Sequence, residues 1–389
     1  MTFKEIAVSQ KGKPTRLILR NHQSPGDIVM LTAAVRDLHR YYPNRFQTDV
    51  RTPCPSLWEN NPYITPLKES DPSVQIIECE YPLIHQSNRE PWHFIHGFTR
   101  FLSDILKLEI KPTDFKGDIH LTDQERGWIS QIQEITVEPV PFWIIAAGGK
   151  RDFTIKWWST ERFQAVVDHF RKRVLFVQIG EVGHAHPPLR GVVDLRGRTD
   201  LRQLVRLVYH AQGVVCPVSL PMHLAAAIET CPGMPRNRPC VVVAGGREPS
   251  QWEAYPHHQF IHTNGALFCC DAGGCWKSRT VPLGDGDEKD KAENLCVNVV
   301  TPRSSSNLAG PPLTVAHKNK IKNKNKNALQ YPRKHWSKLI PRCMDMIEPN
   351  RVIRAIEMYF MGGAVRYLKP SQATICRSKV RALGWTGIP

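Results

Sequence analysis

An α/β fold of two doubly wound, parallel-sheet halves is what this sequence predicts, and three observations carry the prediction. Short β-branched or apolar runs alternate with segments whose apolar residues recur every three or four positions, the pattern of strands crossing over through helices. The pattern starts near Arg16 and starts afresh near Pro141. At 389 residues the chain is long enough for two such units.

In order, Arg16 to Arg20 (RLILR) is a short buried strand, NHQSPGD a polar turn, and IVMLTAAVRDLHRYYP a helix. Ile28, Leu31, Val35, Leu38 and Tyr42 form its apolar face, and Pro43 stops it. The turn ends in Gly26-Asp27. Gly26 lets a ligand approach the backbone, and Asp27 stands where a carboxylate either caps the helix or faces a substrate. Strands are expected at 47–51 and 74–79, separated by a loop containing Pro53, Pro55, Pro62 and Pro66. His85, His93 and His96 then gather with Arg89 and Trp92 ahead of an amphipathic helix. Their spacing matches no zinc-ligand pattern, so a polar, aromatic-backed acceptor surface holding His93 and His96 is expected over a metal.

The second half opens with PFWIIAAGGK, a strand and Gly-rich turn, followed by a helix capped at Ser159 or Thr160 with Phe163, Val166, Val167 and Phe170 on one face. VLFVQIG, VVDL, GVVCP and PCVVVAGG are further strands. No G-x-x-x-x-G-K-[ST] occurs, which excludes a P-loop. Lys156 precedes Trp157-Trp158, at a helix entry where an exposed lysine is ordinary. GRTDLRQLVRLVYHAQ is a helix with Asp200 at the N-cap and Gln203 three residues on. In GVVCPVSLPMHLAAAI a buried strand breaks at Pro217 and restarts as a helix with His223 at its mouth. That helix start suits an anion or a sugar, although His223 alone reads equally as a cap or an ordinary histidine. Arg247, after the next strand, faces a ligand or pairs with Glu248.

Eleven cysteines scattered over this length do not suit a secreted disulfide scaffold, and five lie between Cys269 and Cys343. Cys270 and Cys275 enclose a Gly-Gly turn, with Cys296 and Cys343 returning from farther along. Cys270, Cys275, Cys296 and Cys343 are the expected ligands of a structural metal ion, iron or zinc, with Cys269 as an alternative to Cys270; unliganded thiols are the other reading. From 301 to 330 the chain is polar and without period, so a mobile excursion is expected within an insertion spanning 265–343. Pro349 opens a helix with Val352, Ile353, Ile356 and Phe360 on one face, and the basic residues after Gly363 read as a tail.

The formal charge of +16 points to polyanionic company: a nucleotide diphosphate, anionic lipid head groups or nucleic acid. Five of the lysines sit in HKNKIKNKNKN (317–327), a run of the kind that is usually a solvated loop. No aromatic RNA-binding signature accompanies them, so no specific nucleic acid is expected, and a non-catalytic nucleic-acid or anionic-surface binder is the alternative class. MTFKEIAVSQKGKP lacks an apolar signal region and no run is long enough to span a bilayer, so a cytoplasmic protein is expected, with peripheral contact at the inner membrane face through basic surface.

Two runs resemble signatures of the heptosyltransferase-like glycosyltransferases, family nine. G-D-x-x-x-x-T-x-x-x-R-x-L-x-x-x-x-P is matched by Gly26, Asp27, Thr32, Arg36, Leu38 and Pro43. G-x-T-x-L and D-S-G-P-M-H-L-A-A-A are matched by Gly197, Thr199, Leu201 and Pro221 to Ala227, with Val218-Ser219-Leu220 replacing D-S-G. The resemblance implies the GT-B architecture, two Rossmann-like domains facing a central cleft: 1–140 for the acceptor, 141–348 for the nucleotide sugar with the cysteine finger, and 349–389 a helix crossing back toward the first domain plus the tail. It also implies an inverting transfer of a sugar, heptose from ADP-heptose, to a lipopolysaccharide-type glycolipid or a protein. Asp27 is then the general base and Gly26 an acceptor contact. Lys156, Ser219, Met222, His223 and Arg247 hold the donor, with no metal required at its diphosphate. The cysteine finger is similar to the iron-binding finger of bacterial autotransporter heptosyltransferases. With the acid at 218 replaced by valine, an inactive sugar-nucleotide binder is a further alternative.

Overall fold

The computed structural model describes residues 13–302 and 339–382. The Lys/Asn run at 317–327 and most of the stretch read as a mobile excursion lie outside the described residues. β1 (Thr15–Arg20) leads into α1 (Pro25–Tyr41), β2 (Phe46–Arg51) and β3 (Val74–Glu78). These strands make a parallel sheet in the order β2-β1-β3, with Thr15 opposite Phe46 and Arg16 opposite Val74. Central β1 is covered on both faces, and Leu17, Ile18 and Leu19 are fully buried, which is why it reads as a continuous apolar run. Helix α1 begins three residues before the apolar face does. Pro25 fits the first helical turn, where its missing N–H costs nothing, and the Asp27 carboxylate accepts the Ser24 N–H at 2.9 Å.

Three helices follow: α2 (Ile95–Leu106), α3 (Asp123–Gly127) and α4 (Gln131–Thr136). The second lobe then runs β4 (Phe142–Ile145), α5 (Thr160–His169), β5 (Leu175–Gln178), β6 (Val193–Asp194), α6 (Leu201–His210), β7 (Gly213–Pro217), α7 (Leu220–Ala227), β8 (Cys240–Gly245), α8 (Ser250–Glu253) and β9 (His258–His262). Its six parallel strands are ordered β6-β5-β4-β7-β8-β9. Numbered from the start of this lobe, that is 3-2-1-4-5-6, the doubly wound order whose reversal point lies between β4 and β7. Ligands bind such sheets outside the carboxyl ends of the strands flanking that point.

Past the cysteine-bearing loop, β10 (Val299–Val300) pairs antiparallel with β11 (Ile340–Pro341), ahead of α9 (Arg342–Asp345), α10 (Pro349–Met361) and α11 (Pro370–Ala382). Helix α10 packs on α5, β8 and β9, so it covers the outer face of the second sheet. The stretch read as a tail carries α11, which packs against α4. Its sequence, PSQATICRSKVRA, hides this because, among its described side chains, only a few such as Ala373 and Cys376 turn inward.

The two lobes meet helix to helix, α1 against α7. One apolar core runs through that contact from Leu17 and Met30 to Leu224 and Val242. A second core fills the space between the other face of the six-stranded sheet and α5 and α10.

Candidate functional site

The reversal point of the large sheet and the carboxyl end of β1 face one another, and the side chains gathered there come from five separate stretches. After β4 the chain forms a tight 3-10 turn, Arg151–Lys156, pinned from behind. Ile155 donates its N–H to Ser278 O at 3.2 Å, and Thr154 Oγ1 accepts the Thr280 N–H at 2.8 Å. Just beyond, Trp158 is buried and donates Nε1–H to Ile347 O at 2.9 Å. Lys156 is therefore presented from a fixed turn, and its Nζ lies 2.7 Å from Glu248 Oε1.

Glu248 sits between two cations. Arg247, its sequence neighbour, forms an ion pair with the same Oε1, donates Nε–H to Lys277 O at 2.6 Å, and stacks over Phe153 and Trp276. The Glu248 side chain is only 3% exposed. Burial opposes its ionisation, but the Arg247 and Lys156 charges outweigh burial and hold its pKa below the ordinary glutamate value. The pairing read as an alternative for Arg247 thus exists, and it places two cations side by side.

Asp27 reaches this cluster from the first lobe. Burial raises its pKa above the ordinary aspartate value, against the pull of the Lys156 charge, the Ser24 N–H and the Tyr81 hydroxyl. Neighbouring Gly26 lies against the second lobe: a Cβ there would sit 3.0 Å from His223 Cδ2, so any larger residue would crowd the imidazole.

His223 is buried, with Nδ1 2.8 Å from the Tyr255 hydroxyl and Nε2 3.6 Å from Glu253 Oε2. Burial, then the Lys156 charge, push its pKa down to about 3, so it is neutral at physiological pH. Ser219, the N-cap of α7, is half-buried and donates its hydroxyl to Pro217 O at 3.1 Å. Met222 points into the core, fully buried.

His93 lies behind the cluster, 2% exposed, with its ring centroid 5.1 Å from that of Tyr255. Its Nδ1 accepts the Ile95 N–H at 3.1 Å, so the ring proton is on Nε2, which has no hydrogen-bond partner. Half-buried His96 accepts the His93 N–H on Nδ1 at 3.2 Å. The structure therefore brings Gly26, Asp27, Lys156, His223 and Arg247 together, with His93 adjoining through Tyr255. Tyr81, Tyr255 and Glu253 complete the cluster; no motif or spacing marks any of them in the sequence.

The cysteines form a separate group behind Gly246. A Cβ at Gly246 would lie 3.0 Å from Cys270 Sγ and 3.5 Å from Cys343 Cβ. Cys269, Cys275, Cys296 and Cys343 lie within electrostatic reach of one another, and burial, reinforced by neighbouring thiols, raises the pKa of each. Thiols in that number suit iron or zinc in donor chemistry. Among the described residues, however, no three His, Cys, Asp or Glu side chains are grouped to hold a metal ion. Nor is any helix among the described residues long and apolar enough to cross a membrane.

Residues 107–262 match the family model of glycosyltransferase family 9 (heptosyltransferase). No curated protein matches the chain. Among solved structures, ADP-heptose lipopolysaccharide heptosyltransferase II of E. coli is similar over 90% of this chain and 100% of its own, at 12% identity and a TM-score of 0.51. The iron-containing dodecameric glycosyltransferase TibC of enterotoxigenic E. coli H10407 is similar over 90% of this chain and 77% of its own, at 15% identity and a TM-score of 0.51. The fold is that of these heptosyltransferase structures, and the family match and fold together support a glycosyltransferase.

Proposed function

We propose that the chain transfers a sugar, heptose from ADP-heptose, with inversion at the anomeric carbon, to a lipopolysaccharide-type or protein acceptor. One observation carries this reading: a carboxylate from the first lobe, Asp27, feels the charge of Lys156 from the second, and Lys156 shares Glu248 with a second cation, Arg247. Asp27 takes the proton of an acceptor hydroxyl as its oxygen attacks the anomeric carbon. The bond to the diphosphate oxygen breaks on the opposite face, and its electron pair leaves with the nucleotide. Lys156, Arg247 and the N-terminus of α7 behind Ser219 stabilise that charge. For the diphosphate to reach the cations it displaces Glu248, the anion they hold in this structure. The donor identity is supported by the family match and by the name of the E. coli heptosyltransferase II whose fold this chain shares.

In this reading residues 1–140 receive the acceptor, 141–348 hold the nucleotide sugar, and 349–389 tie the two together. The protein works in the cytoplasm, against the inner membrane face when the acceptor is a lipid. The test is nucleotide release from a panel of nucleotide-diphosphate sugars, with the product's anomeric configuration read by NMR. Acceptor-dependent release of ADP with inverted configuration is expected; retention, or no turnover of any donor, overturns the proposal.

For the cysteines we propose a structural metal held by Cys270, Cys275, Cys296 and Cys343, with Cys269 able to stand in for Cys270. The gathered thiols and the iron-containing relative of like fold support it. Elemental analysis is expected to find about one iron or zinc per chain. Cys275→Ser should lose it together with several degrees of melting temperature. Metal-free wild-type protein, or a variant of unchanged metal content, overturns this.

A further inference from the structure

We propose that Glu253 is a sugar-binding residue of the reaction centre, its Oε2 and His223 Nε2 together gripping one hydroxyl of the transferred sugar. The inference rests on the sugar-transfer reading above. Glu253 has a side chain 6% exposed, and its Oε2 is buried without a hydrogen-bond partner. Buried polar atoms are nearly always paired, so an orphan beside a reaction centre marks a place where a partner belongs. Oε2 lies 3.6 Å from His223 Nε2, too far for a direct hydrogen bond. A single oxygen about 2.8 Å from each atom satisfies both.

The chemistry of the two groups is complementary to a hydroxyl. Tyr255 Oη and His223 Nδ1 satisfy one another at 2.8 Å, with Met30 Sδ 3.4 Å from the same hydroxyl, so Nε2 is the imidazole atom left open to a ligand. Burial, reinforced by the charges of Glu248 and Asp27, raises the pKa of the Glu253 carboxyl well above the ordinary glutamate value against the opposing pull of Lys156 and Arg247. A sugar hydroxyl, able to donate and to accept, bridges Glu253 Oε2 and His223 Nε2. The residue that follows β7 offers no competing acid, because it is the buried Val218. Contacts from the first lobe hold α8, and Glu253 with it, in place: Trp252 O accepts the Phe94 N–H at 2.8 Å, and Gln251 donates its side-chain amide to Ser87 O at 2.6 Å. The same contacts cover this corner.

The test compares wild type, Glu253→Gln and Glu253→Ala with the nucleotide sugar that wild type turns over, and with analogues lacking one sugar hydroxyl at a time. Glu253→Ala is expected to lose about tenfold or more in kcat/KM on the intact donor. On one deoxy analogue the loss should vanish, because the hydroxyl that Glu253 holds is already gone. Glu253→Gln keeps the volume and a donor N–H, and is expected to stay within a few-fold of wild type. An equal Ala penalty on every analogue, or a loss beyond tenfold for Gln at unchanged melting temperature, overturns the role of Glu253. A wild type inert toward every nucleotide sugar overturns the transfer reading itself, and this inference with it.

Discussion

Asp27→Asn is expected to lower kcat by about two to four orders of magnitude, the usual worth of a positioned general base. The same variant should melt within a few degrees of wild type, and the reason lies in the first turn of α1. The Asp27 carboxylate accepts a hydrogen bond from the Ser24 N–H, and an asparagine Oδ1 accepts it as well. The amide cannot take a proton from an acceptor hydroxyl. Asp27 must be ionised to act, and burial raises its pKa, so wild-type kcat/KM should fall as pH is lowered through a value above the ordinary 3.8 for aspartate. In the asparagine variant that acid limb should disappear from the residual activity. Near-normal turnover by folded Asp27→Asn removes Asp27 from the role of base.

That carboxylate was legible because the G-D pair falls in the first turn of the helix that follows a strand, where local sequence fixes the geometry. The doubly wound character of the second lobe and its strands up to β8 were legible for the same kind of reason, because each apolar run and each cap, such as Asp200 with Gln203, acts within a few residues of itself; the strand order and β9 were not. Pro25-Gly26 reads as a turn in isolation, but the helix takes up both because Ser24 supplies the cap ahead of them. What local sequence cannot give is juxtaposition across lobes. Tyr81, Glu253 and Tyr255 come from stretches with no motif, and only the docking of α1 on α7 and of Phe94 on Trp252 brings them around Asp27 and His223. The histidines show the converse. His93 and His96 look like a polar surface in sequence, yet His93 is buried, since α2 and the Phe115 ring close over it.

The motif that contains Asp27 also contains Thr32 and Arg36, and these act far from the chemistry. Arg36, 1% exposed, donates to the Asp37 carboxylate at 2.9 and 3.2 Å and to the carbonyls of Asp114 and Lys116, each at 2.8 Å. Asp37 in turn accepts from Thr113, and Thr32 Oγ1 accepts the Asp118 N–H at 2.8 Å. Together they staple the 113–118 segment along α1, which fixes the helix whose first turn carries Asp27. Arg36→Ala leaves a buried carboxylate without its cation and two carbonyls without donors, and is expected to cost about 3–5 kcal/mol of stability. Arg36→Lys keeps the charge but offers three donors from one point in place of a planar fork, so it should recover only part of that loss. Urea denaturation of both variants is the measurement. A loss below about 1 kcal/mol for the alanine variant, the size of a surface pair, would show that the staple does not hold α1.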